Sequence, residues 1–175
     1  MQDISNKERI VVAFTQLLRE KDFHTISVTN ITKKAQISRT IFYKHFKNVN
    51  DLKNKSIKEV LDKITAIFNH NLLLDGQELL DMLTYLRDRK DIFQVWVAHF
   101  PDIDNIVNRY IKMLVLNSDI KNLSEVLYTG YQISEKYSFD IYINTIQTLI
   151  FNWLLQGCSE TPEEMAAIID KAVLI

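Results

Sequence analysis

The first 75 residues of the chain contain neither glycine nor proline, and this gap is the strongest constraint on its fold. Glycine and proline supply the tight turns of β-hairpins, so hairpins are not expected in this part of the chain. Glycine-rich phosphate loops and dinucleotide fingerprints are excluded there for the same reason. With only three glycines and two prolines among 175 residues, we expect an all-α protein.

A helix-turn-helix arrangement is predicted within the first 50 residues. Apolar residues recur at helical spacing between residues 10 and 18, which predicts an amphipathic first helix ending near residues 21–22. Ser27 is placed to cap a short second helix, and Ser38 caps a third helix after a three-residue turn. A long fourth helix is expected to begin at Asn48 or Asn50. Two short helices with so brief a connection are typical of a DNA-binding helix-turn-helix.

The charge distribution separates the chain into a basic part and an acidic part. Residues 1–63 hold 13 Lys+Arg and 7 Asp+Glu, whereas residues 64–175 hold 8 and 15. This asymmetry indicates a polyanion-binding part joined to a part that does not bind polyanions. The alternative, on charge alone, is a basic face that is merely solvated.

The outward face of the third helix carries the predicted recognition chemistry. If Phe42 and Phe46 face the core, the opposite side chains can reach base edges and phosphates in a major groove. Arg39 is suited to a bidentate contact with guanine, and hydroxyls at the start of the second helix are suited to the flanking backbone. The residues expected to contact DNA on this reasoning are Ser27, Thr29, Arg39, Thr40, Tyr43, Lys44, His45 and Lys47.

Residues 7–51 resemble the N-terminal DNA-binding domain of the TetR/AcrR family of bacterial transcription regulators. The similarity lies above all in residues 27–31 (SVTNI) and 38–48 (SRTIFYKHFKN). Its most specific element is the spacing of Tyr43, His45 and Phe46. The resemblance implies that Tyr43 and His45 contact phosphates and that the groove is faced by Arg39, Thr40 and Lys44. Ser38, which opens the second motif, is included among the predicted DNA contacts.

Two positions depart from the pattern of that family. The family usually has glycine in the turn where this chain has Gln36, and a left-handed backbone costs a non-glycine residue roughly 1–2 kcal/mol. The turn is therefore expected to be strained or differently shaped. The family often has a lysine at the position of Val49, and either Lys47 or Lys53 is expected to replace its phosphate contact.

Residues 72–175 are predicted to form a second, larger helical domain. Helical segments are expected after Gly76, at residues 92–100 and 103–114, and near residues 123–131, where Gly130 is a possible break. Residues 92–100 are rich in large side chains and lie next to a helix with further ones. A mainly apolar ligand is expected there, with polar contacts from a histidine and a tyrosine, although ordinary core packing is the alternative. The predicted ligand-binding residues are Phe93, Trp96, His99, Tyr110 and Met113.

The last two helices are predicted to pair with their copies in a homodimer. The helix expected over residues 139–157 has apolar residues on more than one face, and a capping box from Thr161 to Glu164 opens the final helix. The residues expected at the dimer interface are Phe139, Ile143, Ile146, Ile150, Trp153, Met165, Ile168 and Ile169. Residues 144–169 are also similar to the C-terminal domain of a TetR subgroup that includes regulators of dihydroxyacetone metabolism. That resemblance implies dimerisation through the last long helices and either a small-molecule pocket or a protein partner.

Other functional classes find little support in the sequence. The histidines are scattered, and neither a Cys-x-x-Cys nor a His-Glu-x-x-His motif occurs, so we expect no enzyme, no metal site and no cofactor. The longest apolar runs, residues 10–14 and 165–169, are too short to span a membrane. A single cysteine and the absence of a leader favour the cytoplasm.

These observations lead to one preferred function and one alternative. We expect a helix-turn-helix DNA-binding domain at residues 1–50, a connecting helix at 51–71 and a regulatory and dimerisation domain at 72–175. The preferred function is a ligand-responsive repressor that binds double-stranded DNA at an inverted-repeat operator as a dimer. The alternative is a DNA-bound co-activator scaffold controlled by a regulatory protein. A closed cavity in the second domain would favour a small-molecule effector.

Overall fold

The computed structural model of the protein describes residues 5–68, 76–116 and 123–173, and all regular structure within these ranges is helical. The first half contains α1 (Asn6–Glu20), a single 3-10 turn (Phe23–Thr25), α2 (Val28–Ala35), α3 (Arg39–His45) and α4 (Val49–Ile67). The second half contains α5 (Gln77–Arg87), α6 (Lys90–His99), α7 (Ile103–Leu116), α8 (Leu123–Tyr131), α9 (Glu135–Leu155) and α10 (Pro162–Val173). The prediction of an all-α protein is confirmed.

Side-chain caps fix where the early helices begin. Ser27 Oγ accepts a hydrogen bond from the backbone N–H of residue 30 at 3.2 Å, and Ser38 Oγ accepts one from residue 41 at 3.2 Å. Asn48, rather than Asn50, caps α4, since its Oδ1 accepts from the N–H of residue 51 at 2.8 Å. Each cap satisfies a backbone donor that has no partner inside its helix.

The second half is organised around α9. This helix packs against α6, α7, α8 and α10, and α10 also packs on α5. The predicted capping box of α10 is present, because Thr161 Oγ1 accepts from the N–H of Glu164 at 3.2 Å and the Glu164 carboxylate accepts from the N–H of Thr161 at 2.8 Å. Gly130 does not interrupt α8, which continues through it to Tyr131.

The two halves share one apolar core where α1 packs against α6. The rings of Phe14 and Phe100 have centroids 5.7 Å apart, and Trp96 stacks on Phe100 at 5.1 Å. The indole Nε1–H of Trp96 donates to Thr15 Oγ1 at 3.0 Å, and both residues are buried. A buried donor and acceptor that satisfy each other avoid the cost of desolvation without a partner. The position of the first half is thus tied to the second.

Candidate nucleic-acid interface and core cavity

The turn between α2 and α3 has a left-handed residue at Gln36, the position where the resembled family usually has glycine. Gln36 has φ 54° and ψ 47°, so the strained form of this turn is the one observed. The N–H of Ile37 donates to the carbonyl of Thr32 at 3.1 Å and closes the end of α2. The guanidinium of Arg9 donates to the carbonyls of Ala35, at 2.8 Å, and Gln36, at 3.2 Å. Hydrogen bonds from α1 therefore stabilise a backbone conformation that glutamine disfavours.

Replacing this residue, Gln36→Gly, is expected to raise the free energy of unfolding by up to about 1 kcal/mol, because glycine adopts a positive φ without a steric penalty. Urea denaturation followed by circular dichroism measures the change. The control is Gln16→Gly, at an exposed interior position of α1, which should lower the free energy of unfolding by roughly 0.5–1 kcal/mol. Equal losses in both variants would contradict the assignment of strain to Gln36.

The α3 helix divides into a buried and an exposed face. Phe42 and Phe46 are buried in the core, whereas Tyr43 is 50% exposed. Arg39 donates to the Tyr43 hydroxyl at 3.2 Å, and its guanidinium lies 5.9 Å from the centre of that ring. This contact holds two predicted DNA-contacting side chains together on the outer surface of the helix.

Nine of the ten side chains predicted to contact DNA retain at least part of their surface. Eight are exposed and His45 is partly buried. The exposed set comprises Ser27, Thr29, Ser38, Arg39, Thr40, Tyr43, Lys44 and Lys47. Their hydroxyl, guanidinium and ammonium groups are those that contact phosphates and base edges in protein–DNA complexes.

Lys53 does not fit the role of a phosphate contact. It is only 9% exposed, and its Nζ lies 5.2 Å from the centre of the Phe23 ring. This residue follows Leu52 on the buried side of α4, so its ammonium group is directed over an aromatic face instead of into solvent. Of the two lysines considered as substitutes at the position of Val49, Lys47 is the exposed one.

Lys55, which no sequence motif singles out, fixes the corner between α3 and α4. Its Nζ donates to the carbonyl of His45 at 3.0 Å and lies 3.0 Å from the Asp51 carboxylate. Asp51 also accepts from the backbone N–H of Lys47 at 2.8 Å. This backbone hydrogen bond, together with the one from Lys55, holds the pKa of Asp51 below its ordinary value. No local motif signals such a contact, since the lysine bonds a carbonyl ten residues earlier.

A cavity of about 130 Å³ lies in the core between α4, α5, α6, α7 and α9. Phe93, Trp96 and Tyr110, three of the five predicted ligand-binding residues, line it. The other two predicted ligand-binding residues, His99 and Met113, are exposed and do not contribute to the cavity wall. The part of the wall formed by described residues is apolar, and α4 supplies some of it.

The polar contacts expected from His99 and Tyr110 are not offered to this cavity. His99 lies at the exposed end of α6. The Tyr110 hydroxyl donates to the Leu61 carbonyl at 2.7 Å and lies 2.7 Å from Thr65 Oγ1, so it joins α7 to α4. Burial raises the pKa of this tyrosine above its ordinary value. The expectation that His99 and Tyr110 supply polar contacts to a ligand is therefore not met in this cavity.

Most residues predicted at the dimer interface lie inside the single chain. Trp153 is buried, and its indole donates to the carbonyl of Glu160 at 3.1 Å. Ile168 alone is clearly exposed, at 39%, and Phe139 is partly buried. The buried residues, which have no surface left for a second copy, are Ile143, Ile146, Ile150, Trp153, Met165 and Ile169. Their apolar surface is used by the neighbouring helices of the same chain.

The outward side of α9, unlike its buried side, is exposed, and it is uncharged over residues 141–155. Its exposed positions include Ile141, Thr148, Asn152 and Leu155, which recur at helical spacing. Residues 141–159 contain no charged side chain. An exposed helix face of this length without charge is unusual, because charged residues are depleted chiefly where two proteins meet.

The described residues contain neither a membrane-spanning helix nor a metal-binding cluster. Among residues 5–68, 76–116 and 123–173, no helix has the length and apolarity needed to cross a membrane. Within the same ranges, no cluster of three histidine, cysteine or acidic side chains is arranged to hold a metal ion.

Comparisons with known proteins give a consistent result. Residues 77–174 match a TetR-type family model described as "Transcriptional regulator C-terminal region". The chain is 24% identical over 174 residues to the uncharacterized HTH-type transcriptional regulator YxbF of Bacillus subtilis (strain 168), an alignment covering 93% of this chain and 43% of that protein. The chain thus spans less than half the length of this curated relative.

Two solved structures share the fold. A transcriptional regulator (TerR/AcrR family) from Aquifex aeolicus VF5 has a TM-score of 0.64 and 22% identity, with 97% of this chain and 99% of that chain covered. The dihydroxyacetone kinase operon activator DhaS has a TM-score of 0.57 and 21% identity, with 98% and 96% covered. At these identities the likeness concerns the fold.

Proposed function

The chain belongs to the TetR family of transcriptional regulators, which are not enzymes, and we propose that it is a homodimeric repressor that binds an inverted-repeat operator. The observation that carries this proposal is the two-sided α3 helix. Phe42 and Phe46 anchor it in the core, while Arg39, Tyr43 and Lys44 are exposed on the other side. A single short helix reads only a few base pairs, so two copies in successive major grooves supply the specificity.

The proposed division of labour follows the two halves of the chain. Residues 1–50 bind the operator, residues 51–71 connect the two halves, and residues 72–175 sense the effector and dimerise. The protein acts in the cytoplasm, where its operator lies. The dimer surface that we propose is the uncharged outward side of α9, at Ile141, Thr148, Asn152 and Leu155, together with Ile168 on α10. A two-fold axis through this surface would bring the same face of both copies together.

A small-molecule effector is favoured over a protein partner by the cavity between α4 and the helices of the second half. A ligand there contacts the helix that directly follows the recognition helix, so occupancy can alter the position of α3. The second candidate, a co-activator scaffold controlled by a regulatory protein, is favoured by exposed apolar side chains of α7 and α8, Leu116 and Tyr128. Co-purification of a stoichiometric partner that binds Tyr128 and Leu116 variants less tightly would support this second candidate.

The test of the proposed function is binding to DNA upstream of the gene that encodes this chain. Nuclease footprinting is expected to show two protected half-sites related by a two-fold axis, about one helical turn or a multiple of it apart. Because several cations contact phosphates, log affinity should fall steeply as log salt concentration rises. A duplex with one half-site scrambled serves as the control. Equal affinity for the intact and scrambled duplexes, or affinity independent of salt, would contradict the proposal.

A further inference from the structure

The described residues that line the core cavity offer no hydrogen-bonding group to an occupant. No nitrogen or oxygen atom of the described residues contributes to this wall. Two side chains in it do carry polar groups, and both are engaged elsewhere in the protein. The Tyr110 hydroxyl donates to the Leu61 carbonyl, and the Trp96 indole N–H donates to Thr15 Oγ1. Among the described residues, an occupant is therefore contacted by carbon and sulfur atoms alone.

Such a wall selects strongly by ligand polarity. A polar group moved from water into this space loses its hydrogen bonds to water and gains none, and a charged group loses more. No charged side chain lines the cavity within the described ranges to compensate a carboxylate or an ammonium group. Uncharged molecules without hydrogen-bonding groups are consequently favoured.

The dimensions of the cavity limit the occupant further. Its volume is about 130 Å³, slightly smaller than the apolar protein cavity of about 150 Å³ that binds benzene. The rings of Phe93 and Trp96, whose centroids are 5.8 Å apart at an angle of 73°, both line the cavity and so lie beside an aromatic occupant. A single six-membered ring fits these limits, whereas a fused polycyclic molecule exceeds them.

We propose that the effector is a small uncharged hydrocarbon of the size of a monocyclic arene, buried between α4 and the helices α5, α6, α7 and α9. The inference rests on the proposed function, since it names the chemical class of that regulator's effector. Ile57, Val60 and Ile64 of α4 line the cavity, and this helix begins at the Asn48 cap immediately after α3. A ligand regulates only if it binds one position of α4 better than another.

Binding is tested with toluene, and benzoate provides the matched charged ring. Toluene is expected to raise the melting temperature of the protein in a concentration-dependent manner, because a ligand that binds only the folded state stabilises it. Benzoate at the same concentration should cause no such shift, and calorimetric titration should give toluene at least tenfold tighter binding. Equal effects of the two compounds, or no effect of toluene, would overturn the proposal.

Filling the cavity should abolish toluene binding. Val107 and Ile111 line it and are only partly buried, so Val107→Phe and Ile111→Phe can be accommodated at the cavity wall. Each is expected to remove the toluene-dependent shift. The control is Val126→Phe, the same chemical change at an exposed position of α8, which should keep the full shift. Two filling variants are used so that the test does not depend on the folding of one of them. Persistence of the shift in a folded filling variant would place toluene elsewhere and overturn the proposal.

Operator binding measured on the same samples separates this inference from the proposed function. Toluene is expected to lower operator affinity of the wild-type protein and of Val126→Phe by at least tenfold, with no effect on the filling variants. If the protein binds its operator but toluene neither binds the protein nor changes its operator affinity, the proposed effector class is wrong, whereas the proposed function still stands. If operator binding itself fails, the proposed function is wrong whatever toluene does.

Discussion

The double substitution Ile141→Glu with Leu155→Glu is expected to produce a folded monomer that no longer binds its operator specifically. Both side chains are exposed on the uncharged outward side of α9, so carboxylates there leave the core of the chain intact. At a two-fold interface each substitution occurs twice, and four carboxylates would be desolvated without partners. Without the second half-site, operator affinity should fall toward non-specific binding, about a thousandfold or more.

Sedimentation velocity measures the oligomeric state in this experiment, and circular dichroism measures the remaining helix content. The control is Leu116→Glu, at a side chain on α7 that is 71% exposed and outside the proposed interface. This variant should remain dimeric and should keep its operator affinity. A dimer that survives both substitutions on α9 would place the interface on another surface.

Phe42→Ala is expected to unfold the DNA-binding half, lowering the free energy of unfolding by about 3–5 kcal/mol. The Phe42 ring is fully buried and packs against the rings of Phe46, at 5.8 Å, and Tyr43, at 5.6 Å. Alanine would leave a void where the inner faces of the helices meet. Urea denaturation gives the change in stability, and operator binding should be lost together with the fold.

Arg39→Ala is the matched comparison on the opposite face of α3. Its guanidinium is exposed, so the free energy of unfolding should change by no more than about 0.5 kcal/mol. Operator affinity should nevertheless fall by about 1–3 kcal/mol, the value of one good base contact. A result with the two effects exchanged, loss of stability in Arg39→Ala and loss of affinity alone in Phe42→Ala, would reverse the assignment of the faces.

The helix-turn-helix could be predicted closely because its determinants are local. Ser27 and Ser38 cap helices within three residues of themselves, and Phe42 and Phe46 mark one face by their spacing. The left-handed turn at Gln36 was one of the two alternatives that the missing glycine left open. Local hydrogen bonds and helical periodicity determine all of these features.

The features that sequence reasoning missed depend on contacts between distant segments. From its place in the sequence, Lys53 is expected to lie near DNA. Its ammonium group instead lies over the ring of Phe23, a residue 30 positions earlier in the chain. The repeating apolar residues of α9 predict a buried face, but periodicity does not show whether a second copy or the same chain covers that face. Helices of the same chain cover it, at Ile143 and Trp153 among others. The hydroxyl of Tyr110 was likewise assigned to a ligand because its partner, Leu61, lies 49 positions away.

The bond between Thr15 and Trp96 also bears on how hybrid regulators can be made from this chain. Thr15 belongs to the first 50 residues, yet its hydroxyl accepts from an indole on the wall of the cavity. Grafting those 50 residues onto the second half of a relative would bury the threonine against a foreign side chain, and the reverse graft would leave the indole without an acceptor. The halves that we propose to bind the operator and the effector are consequently not interchangeable as separate units. A functional chimaera has to carry both members of the pair across the junction, or replace both by side chains that fit each other.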